Sequence, residues 1–177
     1  MASAFSHIAV PAVLYASFKS DTVNIRLFLL AALCSIFPDI DVIGFKFGIP
    51  YGSRWGHRGV THSLVFALFL AFLLACFHRQ LRSKPWPVFW FCSVSCASHA
   101  FLDAMTNGGL GVALFWPFSS GRIFLPFRPI QVSPIGVGSF FSEWGLRVLV
   151  SEFIWVLVPA LIVGTFGTVI RRTYVKK

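Results

Sequence analysis

Acidic residues are scarce in this chain: six Asp and Glu among 177 residues, against fifteen Lys and Arg. Charged residues of both signs make up only 12%, where soluble domains run at roughly 25%. Half that density cannot clothe the surface of a water-soluble globule of this size, so lipid must be the solvent for much of it. Cysteine is sparse too. Cys34, Cys76, Cys92 and Cys96 lie in apolar runs with no C-x-x-C pair, so they read as small apolar residues packed in helices and point to no redox compartment. No internal repeat or low-complexity tract is present. A charged segment ahead of residues 4–18 is also missing, and no clean small-residue cleavage site follows them, which sets aside an ordinary signal peptide.

What remains is apolar. Hydrophobic residues make up 56% of the chain and the mean hydropathy is +0.78. Residues 63–77, SLVFALFLAFLLACF, run without a charge, and residues 146–170 carry only Arg147 and Glu152. Residues 86–102 and 25–37 give two more apolar segments, and 4–18 a short one. The pattern predicts an all-α integral membrane bundle of about five spans, the first of them short. The expected spans are 4–18, 25–43, 60–77, 86–103 and 146–170, in a single transmembrane domain over 1–177. A long irregular outer loop would occupy 104–145.

The net charge of +9 and the pI of about 10.0 would suit nucleic acid if the cations were clustered. They are spread over connectors between uncharged runs, which is how membrane orientation is encoded, so no nucleic-acid partner is expected. Lys19, Arg26, Arg79, Arg82, Lys84, Arg171, Arg172, Lys176 and Lys177 fall on one side. Lys46, Arg54, Arg58, Arg122, Arg128 and Arg147 fall on the other, across longer connectors. The bias predicts an outside N-terminus and a cytoplasmic C-terminus.

Histidine and aspartate then stand out. His7, Asp39, Asp41, His57, His62, His99 and Asp103 all fall at the outer ends of the expected segments, although the orientation was read from Lys and Arg alone. His99 and Asp103 are i and i+4, hence on one helix face. Asp39 and Asp41 follow Pro38 at a helix end, and Gly59 allows a tight turn that returns His57 and His62 to one point. Ionisable groups at lipid depth are costly unless paired or ligated. All seven are therefore candidate metal ligands, and they exceed what one tetrahedral ion needs. Such a set suits a dinuclear divalent centre with zinc favoured and manganese or iron compatible. The competing structural reading is a network of hydrogen bonds that tethers the helices.

These residues resemble the YdjM-like family of bacterial inner-membrane proteins, described as predicted membrane-bound metal-dependent hydrolases. The resemblance rests on His7, the Pro38-Asp39-Ile40-Asp41 turn, the block from His57 to Ser63, Ser98-His99 with Asp103, and the Trp116-Pro117-Phe118 stretch. It implies hydrolase chemistry and a bacterial inner-membrane location, and it names no substrate.

Other residues extend this expectation. Arg58 and Arg122 are candidates for binding phosphate oxygens, with Arg54 and Arg128 nearby. Asp41 or Glu152 is a candidate proton acceptor. The aromatics of 104–145, Trp116, Phe118, Phe124, Phe127, Phe140, Phe141 and Trp144, suit both a lid and an interfacial belt. Together these predict a membrane hydrolase acting at the outer interface on a membrane lipid or lipid-linked phosphoester. Two rivals stand beside it: a metal-ion transporter or permease, and a noncatalytic membrane scaffold. A transporter would space its polar groups across the membrane, whereas here they gather at one end.

Overall fold

The computed structural model describes residues 1–175, so the expected cytoplasmic cations Lys176 and Lys177 lie outside the described residues. Helices carry the fold, and there is no strand among the described residues. In chain order they are α1 (Ala4–Phe18), α2 (Ile25–Ile36), α3 (Leu64–Ala75), α4 (Pro85–Ala104), the short α5 (Val137–Phe140), α6 (Glu143–Glu152) and α7 (Val158–Val175). A 3-10 segment, Phe37–Phe47, prolongs α2, and a π turn, Phe153–Leu157, fuses α6 and α7 into one long helix.

Local chemistry sets the ends. Asn24 caps α2 by accepting from the backbone of Arg26 and Leu27, and Ser63 caps α3 by accepting from Phe66. Each supplies an acceptor that a helix start otherwise lacks. Pro85 opens α4, where a missing N–H costs nothing. The α3–α4 connector closes with Arg82 at φ 51°. That strained corner is stapled from outside: Asn24 donates to the carbonyls of Leu81 and Arg82 at 2.9 Å each, and Arg26 to that of Gln80 at 3.0 Å.

Among the described residues two helices are long and apolar enough to cross a membrane, Ile25–Phe47 and Glu143–Tyr174. The apolar α1 and α3, of 15 and 12 residues, are shorter than a bilayer core, which needs about 20 residues. The expected span 60–77 thus contracts to α3. Its first residues are held in a 3-10 turn that aims Thr61 and His62 inward, and its last ones unwind before the basic connector. The 20-residue α4 is long enough but carries Ser93, Ser95, His99 and Asp103 as a buried polar stripe.

α4 is the central helix, packed against α1, α2 and α3. Their shared core is built from small residues, Ala31, Cys34, Ala67, Ala71, Cys92 and Cys96, with Leu27, Val88 and Phe91 filling between them. Small residues let helix backbones approach closely when lipid offers no hydrophobic incentive to pack. α7 lies on α1 in the same way: a Cβ at Gly167 would sit 2.0 Å from the Ser17 hydroxyl. The outward faces are greasy, with Leu161, Ile162, Val163 and Phe166 each at least half exposed.

The segment from 105 to 136 is irregular in form but fixed in place. It caps the ends of α3 and α4 through Leu64 N–H to Leu114 O, Ala113 N–H to Arg58 O and Leu125 N–H to Ala104 O, all at 2.9–3.0 Å. Its own Val112, Leu114 and Ile130 are buried. The Trp116–Pro117 peptide bond is cis.

Candidate metal centre

Three elements meet at one spot under that cap. Asp39 and Asp41 come from the 3-10 extension of α2, and His57, Arg58, Thr61 and His62 from the turn before α3. His99 and Asp103 sit one turn apart at the end of α4. The 50–59 turn is wound so tightly that a Cβ on Gly59 would lie 2.1 Å from the Arg54 carbonyl oxygen. Arg58 itself adopts φ 63°, a conformation sparsely populated by side-chain-bearing residues. This winding turns His57 outward to Asp41 and Arg58 inward to Asp103.

Asp39, His62, His99 and Asp103 form one group, whose donor atoms all lie within 4.8 Å of one another. Within it, His62 Nε2 and His99 Nε2 are 3.0 Å apart. Asp39 Oδ1 is 3.3 Å from His99 Nε2 and 3.6 Å from His62 Nε2, and Asp103 Oδ2 is 3.7 Å from His62 Nε2. A tetrahedral ion with bonds of 2.0–2.1 Å separates its ligands by about 3.3–3.4 Å. Four of the six donor pairs, at 3.0–3.7 Å, bracket that figure, and all six lie within 4.8 Å.

The proton positions follow from the partners. His99 Nδ1 is 2.8 Å from the Ser35 carbonyl oxygen, which only accepts, so Nδ1 carries the hydrogen. Thr61 Oγ1 spends its one hydrogen on Asp41 Oδ2 at 2.7 Å. Toward His62 Nδ1, at 3.0 Å, the Thr61 hydroxyl can then only accept, as does Asp41 Oδ2 at 3.2 Å. His62 Nδ1 therefore carries its hydrogen as well. In neutral imidazoles both Nε2 atoms are left as lone pairs, facing each other at 3.0 Å in a fully buried site. Two lone pairs in that arrangement repel unless a cation lies between or beside them. Asp39 Oδ1, buried beside them, has no donor in the protein. The donor set therefore fits a divalent ion.

The surroundings orient this set, as outer partners of metal ligands commonly do. Asp41 accepts from His57 Nδ1 at 2.7 Å and from the Arg58 backbone N–H at 3.2 Å, besides Thr61 and His62. Arg58 is fully buried, and each of its three nitrogens has a protein acceptor. Nε donates to Asp103 Oδ2 at 3.0 Å, and the two terminal nitrogens to Thr106 Oγ1 and the Gly108 carbonyl at 2.9 Å each. Asp103 Oδ1 accepts from the Ala2 backbone N–H at 2.6 Å.

The remaining sequence candidates lie around the group rather than in it. Asp41, His57 and His62 form a second cluster, joined to the first through His62. His7 stacks on His99 with ring centroids 3.8 Å apart, and neither of its ring nitrogens has a partner. Glu152 bonds the backbone N–H and the hydroxyl of Ser3, fastening the start of α1 to α6. Arg122 donates to the carbonyls of Tyr51, Ser53 and His57 at 2.8–3.0 Å, so it supports the turn that carries His57. Burial draws its pKa down, while Tyr51 and Asp41 act in the opposite sense. Arg54 is exposed, and Arg128 lies 4.7 Å over the Phe124 ring. Nothing in the sequence singles out Ser35, Thr106 or Gly108. Ser35 and Gly108 act through main-chain carbonyls, which leave no sequence signal, whereas Thr61, inside the His57–Ser63 block, is a hydroxyl expected to hydrogen-bond between elements and does so with Asp41.

With this geometry, the sequence model of the YdjM inner membrane protein family matches residues 1–174. The chain belongs to the YdjM inner membrane protein family. Inner membrane protein YbcI of Escherichia coli (strain K12) is 38% identical over 164 residues, covering 92% of this chain and 94% of that one. No solved structure matches. As a YdjM-family chain this is a membrane protein, and the greasy outer faces of α3, α6 and α7 are what such a protein presents to lipid. Its buried His and Asp cluster, far too polar for lipid, stands at one end of the bundle. The YdjM-family match runs through every residue of that cluster.

Proposed function

We propose that this chain is a membrane-embedded metal-dependent hydrolase whose substrate is a lipid or lipid-linked phosphoester. One observation carries the proposal: the two Nε2 lone pairs of His62 and His99 converge at 3.0 Å beside the undonated Asp39 Oδ1. We propose one ion rather than two, held by Asp39, His62, His99 and Asp103. In the second cluster both oxygens of Asp41 are already engaged, by His57, Arg58, Thr61 and His62, although the buried His57 Nε2 has no partner. Zinc is favoured by the mixed nitrogen and oxygen donors at tetrahedral spacing, with manganese and iron next.

When bound, such an ion supplies an acidified water and a Lewis acid for the scissile group. The protein's own part is positional. Asp41 fixes the tautomers of His57 and His62, the Ser35 carbonyl fixes that of His99, and Arg58 balances the buried charge of Asp103. Asp41 Oδ1, 2.7 Å from His57 Nδ1, is also the carboxylate placed to accept a proton by way of that imidazole. Of the four donors, only Asp39 reaches the surface, at 14% exposure. Ile40 and Ile43 beside it are about half exposed, so a substrate enters past an apolar rim. An amphiphile with a polar head suits that approach. Arg54 is exposed, and neither it nor Arg128, which lies over the Phe124 ring, has an acidic partner among the described residues, so these are the cations proposed to meet a phosphate.

The five-span arrangement over 4–18, 25–43, 60–77, 86–103 and 146–170 belongs to the same proposal, as does a single transmembrane domain with its N-terminus outside and C-terminus cytoplasmic. Its support is that Arg26 bonds Gln80 and Arg171 bonds Lys19, so the cations of three connectors gather at the end opposite the cluster. The test is release of the polar head from phospholipid and polyprenyl-phosphate substrates by detergent-purified protein loaded with each ion. Metal-dependent turnover lost in a folded His99→Ala variant supports the reading. Absence of turnover on every lipid phosphoester, with metal bound, overturns it in favour of a scaffold.

A further inference from the structure

A second recess lies at the opposite end of the bundle, unconnected with the metal centre. It is a cleft of about 1010 Å³ between the end of α3 and the start of α4, with Thr22 closing one side. Phe72, Ala75, Cys76, Trp86 and Phe89 make its walls apolar, and Lys84 stands at its mouth. The volume lies in the range of clefts that hold small molecules.

Charge singles out the occupant. Arg79, Arg82 and Lys84 are all exposed within six residues of this cleft. Lys19, Arg26, Arg171 and Arg172 belong to the same end, and Asp21 is the one acidic residue among its described connectors. The positive end of the 20-residue α4 opens on the same mouth. Trp86, 66% exposed, packs edge-on against Trp90 at 5.3 Å, an arrangement suited to the level of lipid head groups. The connector is held rigid by Asn24 and by Ser83, whose hydroxyl donates to the Thr22 carbonyl at 2.5 Å, so the cleft is preformed.

We propose that this cleft binds an anionic phospholipid, one acyl chain lying along Phe72, Cys76 and Phe89 and the phosphate held by Lys84 with Arg82. A zwitterionic lipid of equal chain length fills the same walls but gains nothing from the surplus of cations. A cation near a charged lipid surface contributes about 1 kcal/mol, which converts to about a fivefold change in affinity.

The experiment is native mass spectrometry of the full chain in neutral detergent, titrated with phosphatidylglycerol or phosphatidylcholine of matched chains. Phosphatidylglycerol is expected to remain bound at one equivalent, about fivefold weaker in Lys84→Gln and lost in Cys76→Trp, which fills the cleft. Lys46→Gln, at the other end, should leave it unchanged. Equal retention of the two lipids by the unmutated protein overturns the proposal, whatever the variants do. So does phosphatidylglycerol binding that ignores both Lys84→Gln and Cys76→Trp.

Discussion

Replacing Arg58 with Gln separates a supporting role from a substrate-binding one. The Arg58 and Asp103 side chains are both fully buried, with Nε and Oδ2 3.0 Å apart. Breaking such a pair from one side leaves an uncompensated charge and is worth about 3–5 kcal/mol. The hydrogen bonds to Thr106 and Gly108 add to that, at about 1 kcal/mol each where their acceptors go unsatisfied. Gln also inherits the left-handed backbone, so that strain is common to both proteins and cancels. For a chain of this size each kcal/mol shifts Tm by about 2–4 °C. Arg58→Gln should therefore unfold in detergent at least about 6 °C below the parent. The double variant Arg58→Gln, Asp103→Asn removes both charges and should recover part of the loss, a coupling that a double-mutant cycle reads directly. An Arg58→Gln protein with unchanged Tm, and no coupling to Asp103, would refute the reasoning and return Arg58 to the role of an anion clamp.

Three further outcomes follow from the same geometry. Asp41→Asn keeps the shape but weakens the acceptor for His57 and His62; metal affinity, measured by chelator competition, should fall about 10–100-fold with the fold intact. Gly59→Ala drives a Cβ into the Arg54 carbonyl at 2.1 Å, against backbone that cannot step aside, so metal binding and folded yield should fall together in size-exclusion and metal assays. Gly167→Ala pushes α7 off α1 at Ser17 and should destabilise by about 1–3 kcal/mol. Adding Ser17→Gly, which removes the obstructing hydroxyl, should restore most of the lost Tm.

Much of the site was legible because lipid makes polar residues conspicuous. In a chain with six acids and five histidines, His99 and Asp103 one turn apart and the two aspartates after Pro38 could be singled out by position alone, and the structure gathers them with His62. The family was legible in the same residues. What stayed hidden was the division of labour. Asp41 and His57 share the spacing of their neighbours, and only the three-dimensional winding of the 50–59 turn shows Asp41 accepting from four groups. Arg58 and Arg122 looked like free cations because sequence cannot show a guanidinium turned inward, onto Asp103 in the one case and onto main-chain carbonyls in the other. Glu152 stands two turns inside α6 as expected, but its partner is Ser3, on a segment too short to carry a pattern. Helix boundaries blurred for a related reason: α3 lies in a longer apolar run, and its start is set by the Ser63 cap and the 3-10 turn, not by hydropathy.

The central claim is a bound ion between His62 and His99, and metal content tests it most directly. Detergent-purified protein should carry close to one equivalent of a single divalent metal, zinc foremost, by elemental analysis. The variant His62→Ala, His99→Ala should be folded by circular dichroism and carry none. Parent protein that stays metal-free after reconstitution with zinc, manganese and iron in turn would contradict the account, and the two imidazoles would then be joined by a shared proton within a hydrogen-bonded helix tether.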